Sequence, residues 1–304
     1  MHQAVIRGDS LGGGIENLGH LTVTNSTISN NSLSSNDGGG SFGGGIDNYG
    51  LLFVIGSTFS NNSTLSSGSG SNCLSGGSGI YNHSHGILTV TSSTFSNNSA
   101  LCSGGGSFGG GIVDDGKLTV VASTFSHNSV SGSDSQGGGI YYTGGNDTSA
   151  AIIRFCTIYG NTSSAGGGIW IDPTGSHPMT ISSSIIAANS ANDGPDISGA
   201  LISDGYNRIE NVAGSKARYA TTDRQVTLSA LKIDPTLRNN GGPTQTLVLL
   251  PGSQAIDVVP GEVCRITVTD VSGHTATITM DQRGNSRPDG SEKMCDTGAY
   301  ESSY

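Results

Sequence analysis

Apolar and polar residues alternate along most of this chain in bursts of three to five, separated by glycines and asparagines. The clearest burst is Gly43 to Ser63, GGGIDNYGLLFVIGSTFSNNS: three glycines, Ile46, an Asn-Tyr-Gly turn, the apolar run Leu51 to Ile55, then Ser57-Thr58-Phe59 closed by Asn61-Asn62-Ser63. The period is two: in LTV, Leu21 and Val23 point one way and Thr22 the other, and in STF, Ser57 and Phe59 share a face that Thr58 does not. No stretch carries helical spacing, so the pattern predicts short β-strands.

The same order recurs six times. The isoleucines after the glycines, Ile15, Ile46, Ile80, Ile112, Ile140 and Ile169, lie 31, 34, 32, 28 and 29 residues apart. Most length variation falls in Ser/Gly tracts such as Ser32 to Ser41, which read as loops. Three short strands per repeat predict one coil of a parallel β-helix, stacked on the next at about 4.8 Å. No coil buries its apolar face alone, and stacking makes the core continuous. The fold expected is therefore all-β: a right-handed parallel β-helix of six or more coils over residues 1–210, with an irregular β-rich capping region, 211–304, packed on it.

Columns read down the coils sharpen this. Ile28, Phe59, Phe95, Phe125, Ile158 and Ile186 form a core column, and Asn31, Asn62, Asn98, Asn128, Asn161 and Asn189 close every repeat. An asparagine at a fixed corner tolerates left-handed backbone and bonds its neighbours, so six in register predict a structural amide ladder. Thr27, Thr58, Thr94, Thr124 and Thr157, followed by Ile185, form an outward column.

Beyond Ser190 the repeat decays. Strand-like segments are expected at Ala200–Ser203 and Tyr206–Ile209, loop over 211–232, and an antiparallel pair formed by Val263–Val271 and His274–Met280. GGGI with FSNN resembles the GGA[ILV] and FxxN repeats of the polymorphic outer-membrane proteins and related bacterial right-handed β-helix surface proteins. NNGGPTQTLVLLPGSQAID from Asn239, DQRG from Asp281 and CDTGAYE from Cys295, with GPDI from Gly194 and GYNRI from Gly205, are similar to the choice-of-anchor Q domain family. Together they cover about residues 12–301. The resemblance implies an extracellular or cell-surface β-helix, usually followed by a membrane or wall anchor, with no established catalytic residues. No anchor follows Tyr304, so release or assembly is expected.

Charge narrows the function. The net charge is −10 and the charged share 12%. Arg7, Lys117 and Arg154 are the only basic residues before position 201. Without a basic stripe, nucleic acid and anionic membranes are not expected partners, and no apolar run is long enough for a membrane span. Glycine, 49 of 304 residues, is periodic and interleaved with β-branched residues, which fits a solenoid and not disorder.

The cysteines form no CxxC pair, so no zinc site is expected. Cys73 and Cys102 precede successive isoleucines at one corner of adjacent coils and are predicted to bond, as are Cys264 and Cys295 in the C-terminal region. Cys156 replaces the inward serine of its repeat and is expected to stay free. Disulfides fit export. No metal or cofactor is expected: Asp193 and Asp196 read as a turn more than a calcium site, and His83, His85 and His127 as scattered corners.

The expected function is a non-catalytic exported structural or surface protein, adhesive or fibre-forming, with partners that are further copies docked head to tail or a surface or carbohydrate ligand. Two alternatives stand beside it. A polysaccharide lyase or hydrolase would draw on Asp114, Asp115, Lys117, Arg154 and Asp172. An ice- or crystal-surface binder would use the threonine column. The tripeptide Arg7-Gly8-Asp9 is a weak adhesion candidate.

Overall fold

The computed structural model describes the chain except residues 1–4, 8–9, 37–38, 68–72, 146–149, 270–274, 291 and 304; for 5–7, 10–11, 268–269 and 275–276 it describes the backbone alone. Gly8 and Asp9 of the Arg-Gly-Asp tripeptide, and the Ser272-Gly273 turn, thus lie outside the described residues.

The chain folds as a parallel β-solenoid of about six turns, residues 15–198, followed by a β-rich C-terminal region. A typical coil carries five strands and not three. In the second these are Ile46–Asn48, Leu51–Ile55, Thr58–Ser60, Ser63–Ser66 and Leu74–Gly76. Stacked coil on coil they build five parallel sheets, named here the Ile, Leu, Phe, Ser and Gly sheets, of seven, seven, eight, five and five strands. The Ser/Gly tracts expected to be loops supply the last two. The inward positions of the Gly sheet are serines, and those of the Ser sheet mix Leu33, Ala100 and Val130 with Ser35, Thr64 and Ser66, so no regular apolar alternation marks them. Ser35 Oγ lies 3.1 Å from Ser66 Oγ, and Ser75 donates to the Thr64 carbonyl at 2.9 Å. After Gln136 the coil contracts, and the Ser and Gly sheets continue only as isolated bridges through Thr162 and Ala165.

The core is a set of columns. Phe59, Phe95 and Phe125 stack at 4.7 and 4.8 Å, nearly parallel. Gly45, Gly79 and Gly111, the last glycines of their leads, face this column: a Cβ on Gly79 would stand 2.9 Å from the Phe95 ring and 2.4 Å from the Gly111 carbonyl. Ile46, Ile80, Ile112, Ile140 and Ile169 complete the core with the Leu-sheet residues.

The six closing asparagines are linked side chain to side chain. Each Nδ2 from Asn31 to Asn161 donates to Oδ1 of the next at 2.9 Å, and Asn189 donates to Asp196 Oδ1 at 2.9 Å. The left-handed backbone falls one residue earlier than expected, at Asn30, Asn61, Asn97 and His127, with φ 57°, 55°, 55° and 57°. That kink leaves the following asparagine extended and aimed inward. A second ladder runs Asn17, Asn48, Asn82 and Asp114, with links of 2.7, 2.6 and 2.6 Å. Its members are the last residues of the Ile strands.

Residues 210–226 close the C-terminal end of the solenoid: Val212 and Ala217 pack on its core, and Arg224–Gln225 add the last strand to the Phe sheet. The remainder does not cap the end. It runs back along the flank, on the outer surface of the Phe sheet. Val226, Leu231, Ile233, Leu247, Leu249 and Ala255 pack on Tyr159, Ile185 and Ala187. Val259, Cys264, Ile266 and Cys295 pack on Val121, Ala122 and Phe155. A buried Arg287–Glu301 pair, 2.7 Å apart, holds this flank, and Arg287 also donates to the Asp296 and Gly298 carbonyls. The strands Ile266–Thr269 and Thr275–Ile278 pair antiparallel.

Candidate binding face

Several residues singled out by sequence prove occupied within the fold. The threonine column is largely covered. Thr94, Thr124 and Thr157 are 1%, 0% and 2% exposed. Thr94 donates to the Gln245 carbonyl at 2.6 Å and accepts from Gln282 Nε2 at 2.8 Å; Thr124 donates to Gln282 Oε1 at 2.6 Å; Thr157 accepts from the Ala299 N–H at 3.0 Å. The column therefore presents no flat array to a lattice. It is the seat of the C-terminal flank.

The five residues considered for polysaccharide cleavage are dispersed. Asp114 points inward as the end of the second ladder and is fully buried. Asp115 accepts from the Tyr81 hydroxyl at 2.6 Å, and Asp172 Oδ1 caps its own turn through Thr174. Lys117 and Arg154 project from the Leu sheet and line a cavity of about 250 Å³ with Thr119, Val121, Ile152, Ile266 and Thr267. Arg154 pairs with Asp204 at 3.3 Å.

Asp193 accepts from Ser198 at 3.1 Å, while Asp196 accepts from Asn189 and from the N–H groups of Glu210 and Asn211, so these carboxylates serve protein donors. His83 bonds Asp47, whereas His85 and His127 bond the serines before them. Disulfides join Cys73 to Cys102 and Cys264 to Cys295, with Cα separations of 5.9 and 6.3 Å. Cys156 is free and buried; burial pushes its thiol up to about 12.

The remaining surface of note lies on the outer faces of the Gly and Ile sheets, away from the flank. Outward positions of the Gly strands supply Phe42 and Phe108, and those of the Ile strands supply Asp47, Tyr81, Tyr141 and Trp170. The turn column adds Tyr49, His83, Asp115 and Asp172. Because outward side chains of stacked coils sit one strand spacing apart, they meet. Phe42 and Tyr81 lie 5.0 Å apart and tilted, as do Phe108 and Tyr141 at 4.8 Å, while Tyr141 and Trp170 stack at 4.5 Å and 8°. His83 stacks on Tyr49 at 3.7 Å and bonds the buried Asp47 at 2.8 Å.

The electrostatics are one-sided. The Tyr81 hydroxyl is raised well above its usual range, first by burial and then by Asp115 and Asp47. Tyr141 is raised by burial and then by Asp172, Asp115 and Asp134. The face is aromatic and acidic at once. Its members were visible in sequence singly, but their repeats differ too much in residue type for a column to show. Only the register brings them together.

Compared with known proteins, the chain matches no family model, no curated protein and no solved structure.

Proposed function

We propose that this chain is an exported, non-catalytic surface solenoid that adheres to carbohydrate through its aromatic and acidic face. The observation that carries this reading is the row Phe42, Tyr81, Phe108, Tyr141 and Trp170, half-buried on one flank of a rigid solenoid whose other flank is covered by its own C-terminal region. Rings fixed on strands offer CH-rich sugar faces a rigid platform with little side-chain entropy left to lose, and neighbouring carboxylates accept hydroxyl hydrogen bonds. Two disulfides hint at an oxidising, extracellular setting. The motif resemblance to bacterial surface β-helices supports the same assignment.

The test is retention of the full chain on a panel of polysaccharides. Retention on at least one is expected, with loss on Trp170→Ala and none on Lys117→Ala, which lies on the Leu sheet. Absence of any retention, or retention unchanged by Trp170→Ala, overturns it.

A second reading, fibre formation, rests on one observation. Among the described residues, Val5–Arg7, Ser10–Leu11, Ile15–Asn17, His20–Thr24 and Thr27–Ser29 each have a strand neighbour on one side only. Such an edge templates further pairing, and a second copy seated on it repeats head to tail. Sedimentation mass that rises with concentration supports this; a constant monomer mass refutes it.

A further inference from the structure

We propose that the cavity between the Leu sheet and the C-terminal hairpin is a binding site for a small organic carboxylate with an apolar body. It is separate from the aromatic face and stands whether or not that face takes carbohydrate.

The cavity, about 250 Å³, has two walls of different origin. One is the outer face of the Leu sheet, where the register sets Lys117 beside Ala150, Thr119 beside Ile152 and Val121 beside Arg154. The other is the hairpin strand Ile266–Thr269. Ile266 belongs to one packed cluster with Val121 and stands two residues after Cys264, which is bonded to Cys295, so this wall is in place before any ligand arrives. Pockets for drug-sized ligands span about 300–1,000 Å³, and this one suits a smaller molecule.

Its chemistry is amphiphilic. Val121, Ile152 and Ile266 supply apolar surface. Lys117 and Arg154 supply charge, and they are the only basic residues between positions 8 and 200 of a chain whose net charge is −10. Arg154 donates through Nη2 to Asp204 at 3.3 Å, a long contact to a half-exposed carboxylate. Asp204 is the only acidic residue in the seven Leu strands. Arg154 Nε, by contrast, is buried and bonds nothing. Among the described residues, the Lys117 ammonium and the Thr119 hydroxyl also have no hydrogen-bond partner.

A buried charged donor without an acceptor is unfavourable, and a carboxylate seated against Arg154 supplies the acceptor. One charge on an apolar body answers the whole set. A neutral molecule leaves both cations unmatched, and an inorganic anion leaves the apolar surface uncovered.

The experiment is calorimetric titration of the full chain with benzoate, with benzamide as a neutral probe of the same shape, and with sulfate as an anion that has no apolar body. Benzoate should bind at one site, about tenfold tighter than either other probe, and its advantage over benzamide should shrink as salt rises. Arg154→Gln, at a partly exposed position, should bring benzoate down to the affinity of benzamide with little change in thermal midpoint. Trp170→Ala should leave benzoate binding intact. Nuclear Overhauser contacts from the benzoate ring to the Ile152 and Ile266 methyls locate the probe without any variant. No saturable benzoate binding, equal affinity for benzoate and benzamide, tightest binding of sulfate, unchanged binding in Arg154→Gln, or ring contacts outside this cavity each overturn the proposal.

Discussion

Asp114 ends the second amide ladder in a way that predicts a stabilising substitution. Its Oδ1 accepts from Asn82 Nδ2 at 2.6 Å, but its Oδ2 is buried without a partner, and so is the Tyr142 hydroxyl that follows it in register. Burial raises its carboxyl from 3.8 to about 7, against the hydrogen bond from Asn82. The folded pKa is above the unfolded one, so the folded state holds the extra proton between those values. Stability therefore falls as pH rises through this window, and the full cost is present above about 7. A shift of that size corresponds to about 4 kcal/mol as an upper bound, since local relaxation lowers it. Asp114→Asn removes the charge, keeps the acceptor for Asn82 and turns a donor toward the next coil. We expect it to stabilise by about 1–4 kcal/mol at pH 8 and to change little at pH 4.

Asp196 provides the contrast. Burial raises it as well, to about 7. Both its oxygens, however, accept N–H groups, from Asn189, Glu210 and Asn211. An amide can accept through one atom only, so Asp196→Asn opposes N–H to N–H and forfeits about 1–3 kcal/mol per orphaned donor. Urea unfolding of both variants at pH 4 and pH 8 measures the difference. Equal gains at pH 8, or a gain from Asp114→Asn that is as large at pH 4, would refute this reasoning.

Three further outcomes follow. Asn98→Ala, in mid-ladder, removes the acceptor for the Asn62 backbone and side-chain N–H groups and should cost about 2–4 kcal/mol in chemical unfolding. Arg287→Ala leaves Glu301, 1% exposed, without its cation; about 3–5 kcal/mol should be lost, seen as proteolysis within 234–304 before the solenoid is cut. Reduction of either disulfide, each closing about 30 residues (separations 29 and 31), should lower stability by about 3–4 kcal/mol, read as a shift in thermal midpoint between oxidised and reduced samples.

The solenoid was legible because its signal is local and repeated: Leu52 and Val54, or Phe59 beneath Gly45, carry a period that one coil shows and the next confirms. The Ser and Gly sheets were not, since inward hydrogen-bonding serines such as Ser35, Ser66 and Ser75 break up the few apolar positions there, Leu33, Ala100 and Val130. The path of the C-terminal flank was hidden for a related reason. Gln282 and Thr124 are 158 residues apart and polar, and nothing local says they meet. Threonines that read as an outward array are outward from the coil yet inside the molecule. The ladder through Asn48 and Asn82 escaped notice because its fourth member is Asp114, which in sequence belongs to a polar turn. The aromatic face was hidden because it mixes Phe, Tyr, Val and Trp in successive coils.

Trp170 is the single tryptophan of the chain and stands in the proposed site, stacked on Tyr141. Its fluorescence therefore reports binding at that face and nowhere else. Titration of the native chain with an oligomer of the polysaccharide that retains it should give a saturable change in Trp170 emission, weakened in Tyr141→Ala. Binding detected by calorimetry with no change in that emission would place the ligand elsewhere and contradict the assignment of this face.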